Sequence, residues 1–276
     1  MALAVSAVGV ASASTPADTL DLLWPSPLLK LVDPVAKGNN RALKKLLLDL
    51  AQKTKGVQKT NLGGWQSDVD LFEGSDAALG LLRTRTYHAI FRYLQAMAPS
   101  GSRGKFEVSI GSAWANINNR SHSNSPHLHP GVQLAGVYYV DDGGTREGGV
   151  RLVDPRPQAS MVPAPAKWTR GMGEHIRVQA VPGLFVIFPA WLQHYVVAHE
   201  GTRPRISVSF NVRLTFPDDD DDGENPHTSG KPAVANEASH SAHQQSTQPA
   251  RLSFTVPPHH QRDFLDAALA RDMVVN

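Results

Sequence analysis

Apolar side chains recur along the chain with two different periods, and the switch between them falls near Phe106. Upstream, residues 41–53 carry Leu43, Leu46, Leu47 and Leu50 at the i, i+3, i+4, i+7 spacing of an amphipathic helix. Residues 76–98 repeat that pattern with Leu82, Ile90, Phe91 and Leu94 near one face, and Pro99 and Gly101 close it. Ahead of both, residues 22–31 contain Pro25 and Pro27. Their rings bar a helix interior and remove ladder donors, so this segment reads as an edge strand. Residues 54–72 read as a loop around Gly63 and Gly64. From Phe106 the period falls to two, in runs rich in Val, Ile, Phe and Tyr at 106–110, 112–118, 132–140, 149–153, 176–180, 184–188, 194–198 and 205–212. This rhythm predicts a mainly β fold, an all-β sandwich or a jelly roll (a cupin-like double-stranded β-helix), backed by the two N-terminal α-helices.

The ends of the chain read differently. Residues 1–18 are Ala-, Val- and Ser-rich and predict a flexible N-terminus, with a targeting segment as the alternative; no basic n-region precedes the apolar stretch. The jelly-roll domain is expected over 19–216. Beyond Pro217 come five aspartates, Asp218 to Asp222, and a polar stretch, so 217–251 is expected to be a disordered acidic linker. The tail, 252–276, regains enough pattern at Phe264, Leu265, Ala268 and Leu269 for one short helix.

Composition narrows the chemistry. The 276 residues carry a formal net charge of +2, too small for field-driven nucleic-acid binding, and no dense Lys/Arg patch marks a nucleic-acid surface. No window approaches the ~18 uninterrupted apolar residues of a spanning helix, so the expected setting is intracellular and cytoplasmic, with organelle targeting as the alternative. There are 12 histidines and no cysteines. Disulfides, thiolate-bound metals and a Cys nucleophile are therefore excluded, and any metal must be held by His, Asp or Glu. The pattern specifies no oligomeric state.

Two places concentrate metal-binding side chains. In Pro126–Gly131, His127 and His129 stand at i and i+2, so on an extended backbone both aim at one face while Leu128 turns into the core. Paired imidazoles are a cysteine-free way to hold Fe(II), Mn(II), Ni(II) or Zn(II); two polar residues of a loop are the plainer reading. The second place is Phe188–Tyr195, where His194 follows a sharp turn and can approach the pair across a jelly roll. Arg205 opens the last strand. Facing inward on the strand neighbouring His194, it would need an anion, and a planar fork suits a carboxylate. Alternation alone also permits Arg205, Ser207 and Ser209 to face solvent. Trp114, Asn116 and Asn118 share one face of their strand and are candidates to line a pocket, and Asp154 and Arg156 to contact substrate at its rim. His122, His175 and His199 have no partner at ligand spacing and read as surface residues.

In order along the chain stand His127-Leu128-His129-Pro130-Gly131, Ala135-Gly136-Val137-Tyr138-Tyr139, Gly148-Gly149 with Asp154-Pro155-Arg156, Phe188-Pro189-Ala190-Trp191-Leu192-Gln193-His194, and Arg205-Ile206-Ser207-Val208-Ser209-Phe210-Asn211. This ordered set resembles the 2-oxoglutarate/Fe(II)-dependent oxygenases, in a branch marked by H-x-H-P-G, S/A-G-V-Y-Y, F-P-x-W-x-x-H and R-I-S-x-S-F-N, over roughly residues 22–215. The resemblance implies an Fe(II)- and 2-oxoglutarate-dependent dioxygenase. Such an enzyme couples oxidative decarboxylation of 2-oxoglutarate to hydroxylation of a substrate the sequence does not identify, with O2 as co-substrate. It implies His127 and His194 as iron ligands, Arg205 as anchor of the far carboxylate of 2-oxoglutarate, Tyr139 as a hydrogen-bond donor to it, and Ser207 as an assistant. His129 stands where the wider superfamily has Asp or Glu. A three-imidazole site with His129 as third ligand is the main reading, and Asp141 or Asp154 supplying a carboxylate is the alternative. The competing functions are a cupin-type metal protein that needs no 2-oxoglutarate, whether dioxygenase or isomerase, and a binding module that has lost its chemistry.

Overall fold

The computed structural model describes residues 25–97, 105–161, 175–215 and 251–255. Its elements run β1 (Leu29–Val32), α1 (Ala36–Lys53), β2 (Asn61–Leu62), β3 (Trp65–Gln66), α2 (Ala77–Met97), β4 (Lys105–Asn118), β5 (Ser123–His127), β6 (Leu134–Asp141), β7 (Val150–Val153), β8 (His175–Arg177), β9 (Leu184–Pro189), β10 (His194–Val196), β11 (Arg205–Thr215) and β12 (Arg251–Thr255). The strands form two antiparallel sheets. The larger runs β1-β9-β6-β11-β4-β12 with β3 also on β4, and the smaller runs β2-β5-β10-β7-β8. This is the mainly β jelly roll with two helices that the change of period predicts. No helix among the described residues is long and apolar enough to cross a membrane.

β11 lies at the middle of the larger sheet, between β4 and β6. Its even residues Ile206, Val208, Phe210 and Val212 are fully buried and pack with Leu43 and Leu47 of α1 and Leu82 and Ile90 of α2. Its odd residues Arg205, Ser207, Ser209 and Asn211 line a cavity between the sheets. A second apolar cluster, including Tyr139, Val150, Leu152, Val186, Phe188 and Leu192, fills the rest of that space. The adjacent tyrosines divide accordingly, Tyr138 packing in the helix-side cluster and Tyr139 in the inter-sheet cluster.

Several elements differ from the sequence pattern for local reasons. α1 starts at Ala36 rather than residue 41. Gly38, Asn39 and Asn40 hide the stripe, yet Asn40 is buried on it. Asn40 Nδ2 donates to Val140 O (3.1 Å) and its Oδ1 accepts from Tyr138 Oη (2.6 Å), which ties α1 to β6. The two runs expected at 106–110 and 112–118 are one strand. Asn211 pairs with Ser112 and Val212 with Ile110, so Gly111 is the extra residue of a bulge. Part of the expected loop 54–72 forms β2 and β3. β1 is an edge strand as expected, though Pro25 and Pro27 lie ahead of its four residues. At the boundary of the expected linker and tail, Arg251–Thr255 forms β12, antiparallel to Lys105–Ser109. The expected flexible start at 1–18, the Asp218–Asp222 run and the short helix at 264–269 lie outside the described residues.

Replacing Asn40 by Ala leaves the buried Tyr138 hydroxyl and Val140 carbonyl without partners. An unpaired buried group costs about 1–3 kcal/mol, so Asn40→Ala is expected to lower the unfolding free energy by about that amount in chemical denaturation.

Candidate metal centre

The three histidines are set by backbone pairing. His127 ends β5 and stands directly opposite His194, the first residue of β10. His129 lies two residues beyond, its N–H donating to Ala190 O at 3.0 Å. The chain then turns at Gly131, whose φ of 79° suits glycine. One ligand atom from each ring lies within 4.8 Å of the others. The His129 and His194 Nε2 atoms are 3.2 Å apart.

The carbonyl partners of two rings assign their tautomers. His127 Nδ1 faces Ser125 O at 2.7 Å and His194 Nδ1 faces Leu192 O at 2.9 Å. A carbonyl only accepts, so each Nδ1 carries the proton and each Nε2 keeps its lone pair. Such hydrogen bonds also fix ring orientation, as partners outside a coordination sphere do. Phe188 packs edge-on against His194 with ring centroids 4.8 Å apart, and Trp114 lies 5.8 Å from His129.

Electrostatics keep the rings neutral. Burial pushes His129 down to about 4 and His194 down to about 3, and repulsion from His127 adds to both. His127 is lowered too, mainly by burial, against the hydrogen bond to Ser125. Three neutral imidazoles in a partly dry site are good ligands for borderline divalent metals.

The carboxylate alternatives are engaged elsewhere. Asp141 accepts from Lys44 Nζ (2.7 Å) and from the Gly143 N–H (2.8 Å). Asp154 pairs with Arg156 at 2.7 Å, and neither lines the cavity between the sheets. The metal-capable group among the described residues is His127, His129 and His194.

Arg205 is 2 % exposed. Its Nη1 donates to Gly148 O, and no carboxylate among the described residues forms an ion pair with it. Burial lowers its pKa, and the nearby Tyr139 phenol pulls the other way. A guanidinium stays charged in proteins, so this buried cation is left with no protein counter-charge. Tyr139 Oη accepts from the Val150 N–H (2.9 Å), and burial raises its pKa against that contact and Arg205. Ser207 stands opposite Tyr139 of β6 and Asn116 of β4.

All six predicted site residues line one cavity of about 290 Å³. Arg205 faces inward, but from the larger sheet, whereas His194 belongs to the smaller one, so the two are not on neighbouring strands. Leu128 is 51 % exposed and lines the mouth instead of turning into the core, because β5 ends at His127 and Leu128 lies past the strand. Trp114 and Asn116 line the cavity, whereas Asn118 is buried beside Asn124 (3.5 Å). His199 is buried, not on the surface, and its Nε2 donates to Arg203 O at 2.8 Å; its backbone pairing with Ser121 and His122 draws it in. Lys59, Gln66, Ser112, Ser209 and Asn211 also line the cavity. Period two alone places Ser209 and Asn211 with Arg205, and nothing local marks Lys59 or Gln66.

The depressed imidazoles fix the sign of a pH effect. Unfolded histidines take up protons near their ordinary value, while folded His129 and His194 resist until about 4 and about 3. The unfolded state therefore binds more protons through that window, and stability falls as pH falls. The melting temperature of the metal-free protein is expected to drop between about pH 7 and about pH 4.5, with a shallower slope in His194→Gln; identical slopes would refute the coupling.

Residues 112–211 match the family model described as "Putative 2OG-Fe(II) oxygenase". No curated protein matches the chain. Among solved structures, the non-heme alpha ketoglutarate dependent epimerase SnoN from nogalamycin biosynthesis matches with a TM-score of 0.50 at 14% identity, over 81% of this chain and 95% of that one. A Pseudomonas putida prolyl-4-hydroxylase matches with a TM-score of 0.46 at 14% identity, over 68% and 92%. HygX from Streptomyces hygroscopicus, solved with nickel and 2-oxoglutarate, matches with a TM-score of 0.43 at 10% identity, over 68% and 82%. The family match runs over residues 112–211, so the likeness to the 2OG-Fe(II) oxygenases falls on the strands and loops that carry the three histidines, Tyr139, Arg205 and Ser207.

Proposed function

We propose that the chain is a non-haem oxygenase that holds Fe(II) through His127, His129 and His194 and binds 2-oxoglutarate against Arg205. The observation that carries this reading is the buried guanidinium without a protein counter-ion, facing the same cavity as three neutral imidazoles. A diacid that reaches from one to the other supplies the missing anion at Arg205 and leaves its second acid end for the metal. Bound iron and 2-oxoglutarate supply O2 activation, with succinate and CO2 released and a substrate C–H converted to C–OH.

The chain's own residues do the rest. The Ser125 and Leu192 carbonyls keep the Nδ1 protons in place and the Nε2 lone pairs aimed together. The Gly148 carbonyl holds one arm of the Arg205 fork and leaves other N–H groups for a planar carboxylate. Tyr139, its oxygen already accepting from Val150, keeps its own proton to donate beside Arg205, and Ser207 adds a hydroxyl on the same face. Phe188, Val150 and Val137 exclude water around the reacting centre. His129 in the place of a carboxylate leaves the ligand set uncharged.

Arg205→Ala is expected to raise the 2-oxoglutarate requirement about thirtyfold or more, measured by succinate release, with metal content nearly intact. Equal loss of metal would make Arg205 structural. His129→Ala is expected to weaken divalent-metal binding by at least about tenfold in calorimetry, and unchanged affinity would remove it from the ligand set.

A further inference from the structure

The cavity contains more polar groups than a diacid can use. Beyond Ser207, β11 presents Ser209 and Asn211 inward, and β4 presents Ser112 and Asn116 beside them. Asn116 Nδ2 donates to Ser209 Oγ (3.3 Å) and Asn211 Nδ2 to Ser112 Oγ (3.1 Å). Each amide group commits an N–H there, and both Oδ1 atoms are buried without a partner. Asn116 is only 6 % exposed. An orphaned buried acceptor costs about 1–3 kcal/mol, and both belong to residues that line the cavity. A fully ionised diacid carries acceptors only, so it cannot satisfy either. Asn211 is also six positions from Arg205, about 20 Å along the strand, beyond a five-carbon diacid anchored there.

Charge and size narrow the second ligand. Among the described residues, the cavity is lined by two cations, Arg205 at the closed end and Lys59 at the mouth, and by no Asp or Glu. The imidazoles add no negative charge. A divalent metal and a doubly charged diacid cancel, which leaves the charge of the two cations for a further anion. The cavity volume of about 290 Å³ lies at the floor of the ~300–1,000 Å³ range for one drug-sized ligand, so whatever shares it with 2-oxoglutarate is small. Trp114 beside His129 gives the same chamber an apolar face for C–H bonds.

We propose that the substrate is a small aliphatic carboxylic acid bearing a hydroxyl or amino donor, its donor on Asn116 Oδ1 and its carboxylate toward Lys59. This rests on the oxygenase reading above. The test uses the full chain loaded anaerobically with Zn(II) and 2-oxoglutarate, titrated with glycerate, threonate, serine and lysine, each beside its carboxamide, and with glycerol. Melting temperature is the first readout and succinate release by the Fe(II)-loaded chain the second. At least one acid is expected to raise the melting temperature and stimulate succinate release while its carboxamide does neither. Lys59→Gln should weaken that acid about fivefold, more than it weakens 2-oxoglutarate, and Lys59→Arg should restore it. Asn116→Leu should weaken it about tenfold, with the isosteric Asn116→Asp, which repels a carboxylate, as the second variant. Carboxamides or glycerol binding as well as the acids, or Lys59→Gln weakening both ligands equally, would overturn the proposal. If 2-oxoglutarate stabilises the metal-loaded chain and no acid does, this proposal alone fails. If 2-oxoglutarate itself gives no stabilisation, the reading beneath it fails.

Discussion

The strand at the centre of the larger sheet has two faces that cannot be exchanged. Ile206, Val208, Phe210 and Val212 must be covered, and α1 and α2 cover them. Strict alternation then turns Arg205, Ser207, Ser209 and Asn211 toward the opposite sheet. A one-residue slip of β11 would bury four polar groups under the helices, so apolar burial on the outside locks the inside register. The chemistry of the cavity is thus enforced by packing on the face that never sees a ligand. The bulge at Gly111 matters for the same reason, because it keeps Ser112, Trp114 and Asn116 in phase with β11 while β4 continues past the cavity.

The electrostatics of the interior are one-sided. Desolvation drives the three imidazoles toward their neutral forms, and their mutual repulsion reinforces it. The same desolvation acts on Arg205, which has no neutral form to retreat to. A folded chain that keeps a cation without a counter-ion in a dry place has given up stability, and an anion from outside returns it.

Much of this was readable from period and residue type. The change from a helical to a strand period placed both helices and eight of the twelve described strands, missing β2, β3, β5 and β12, and alternation placed Arg205 and Ser207 on one face. What escaped were features decided by tertiary contacts. Asn40 looks like a helix breaker until the Tyr138 hydroxyl and the Val140 carbonyl are set against it. His199 looks solvated until backbone pairing with residues 121 and 122 draws it inside. Leu128 looks like a core residue because it sits between two histidines, but the strand stops one residue too early to turn it inward. Residues 251–255 look like the edge of a polar tail, and their place beside β4 depends on an edge more than a hundred residues away. Lys59 and Gln66 carry no local signal, and only the path of the chain between the helices brings them to the cavity.

The imidazoles and the guanidinium stand on different sheets: β5 and β10 carry His127 and His194, and β11 carries Arg205. Any molecule gripped at both ends is therefore a further cross-brace between two layers already tied here by the Arg205–Gly148 and Val150–Tyr139 hydrogen bonds. Occupancy would then be legible far from the chemistry, as slower amide exchange in β5 and β10, without any change in the path of the backbone.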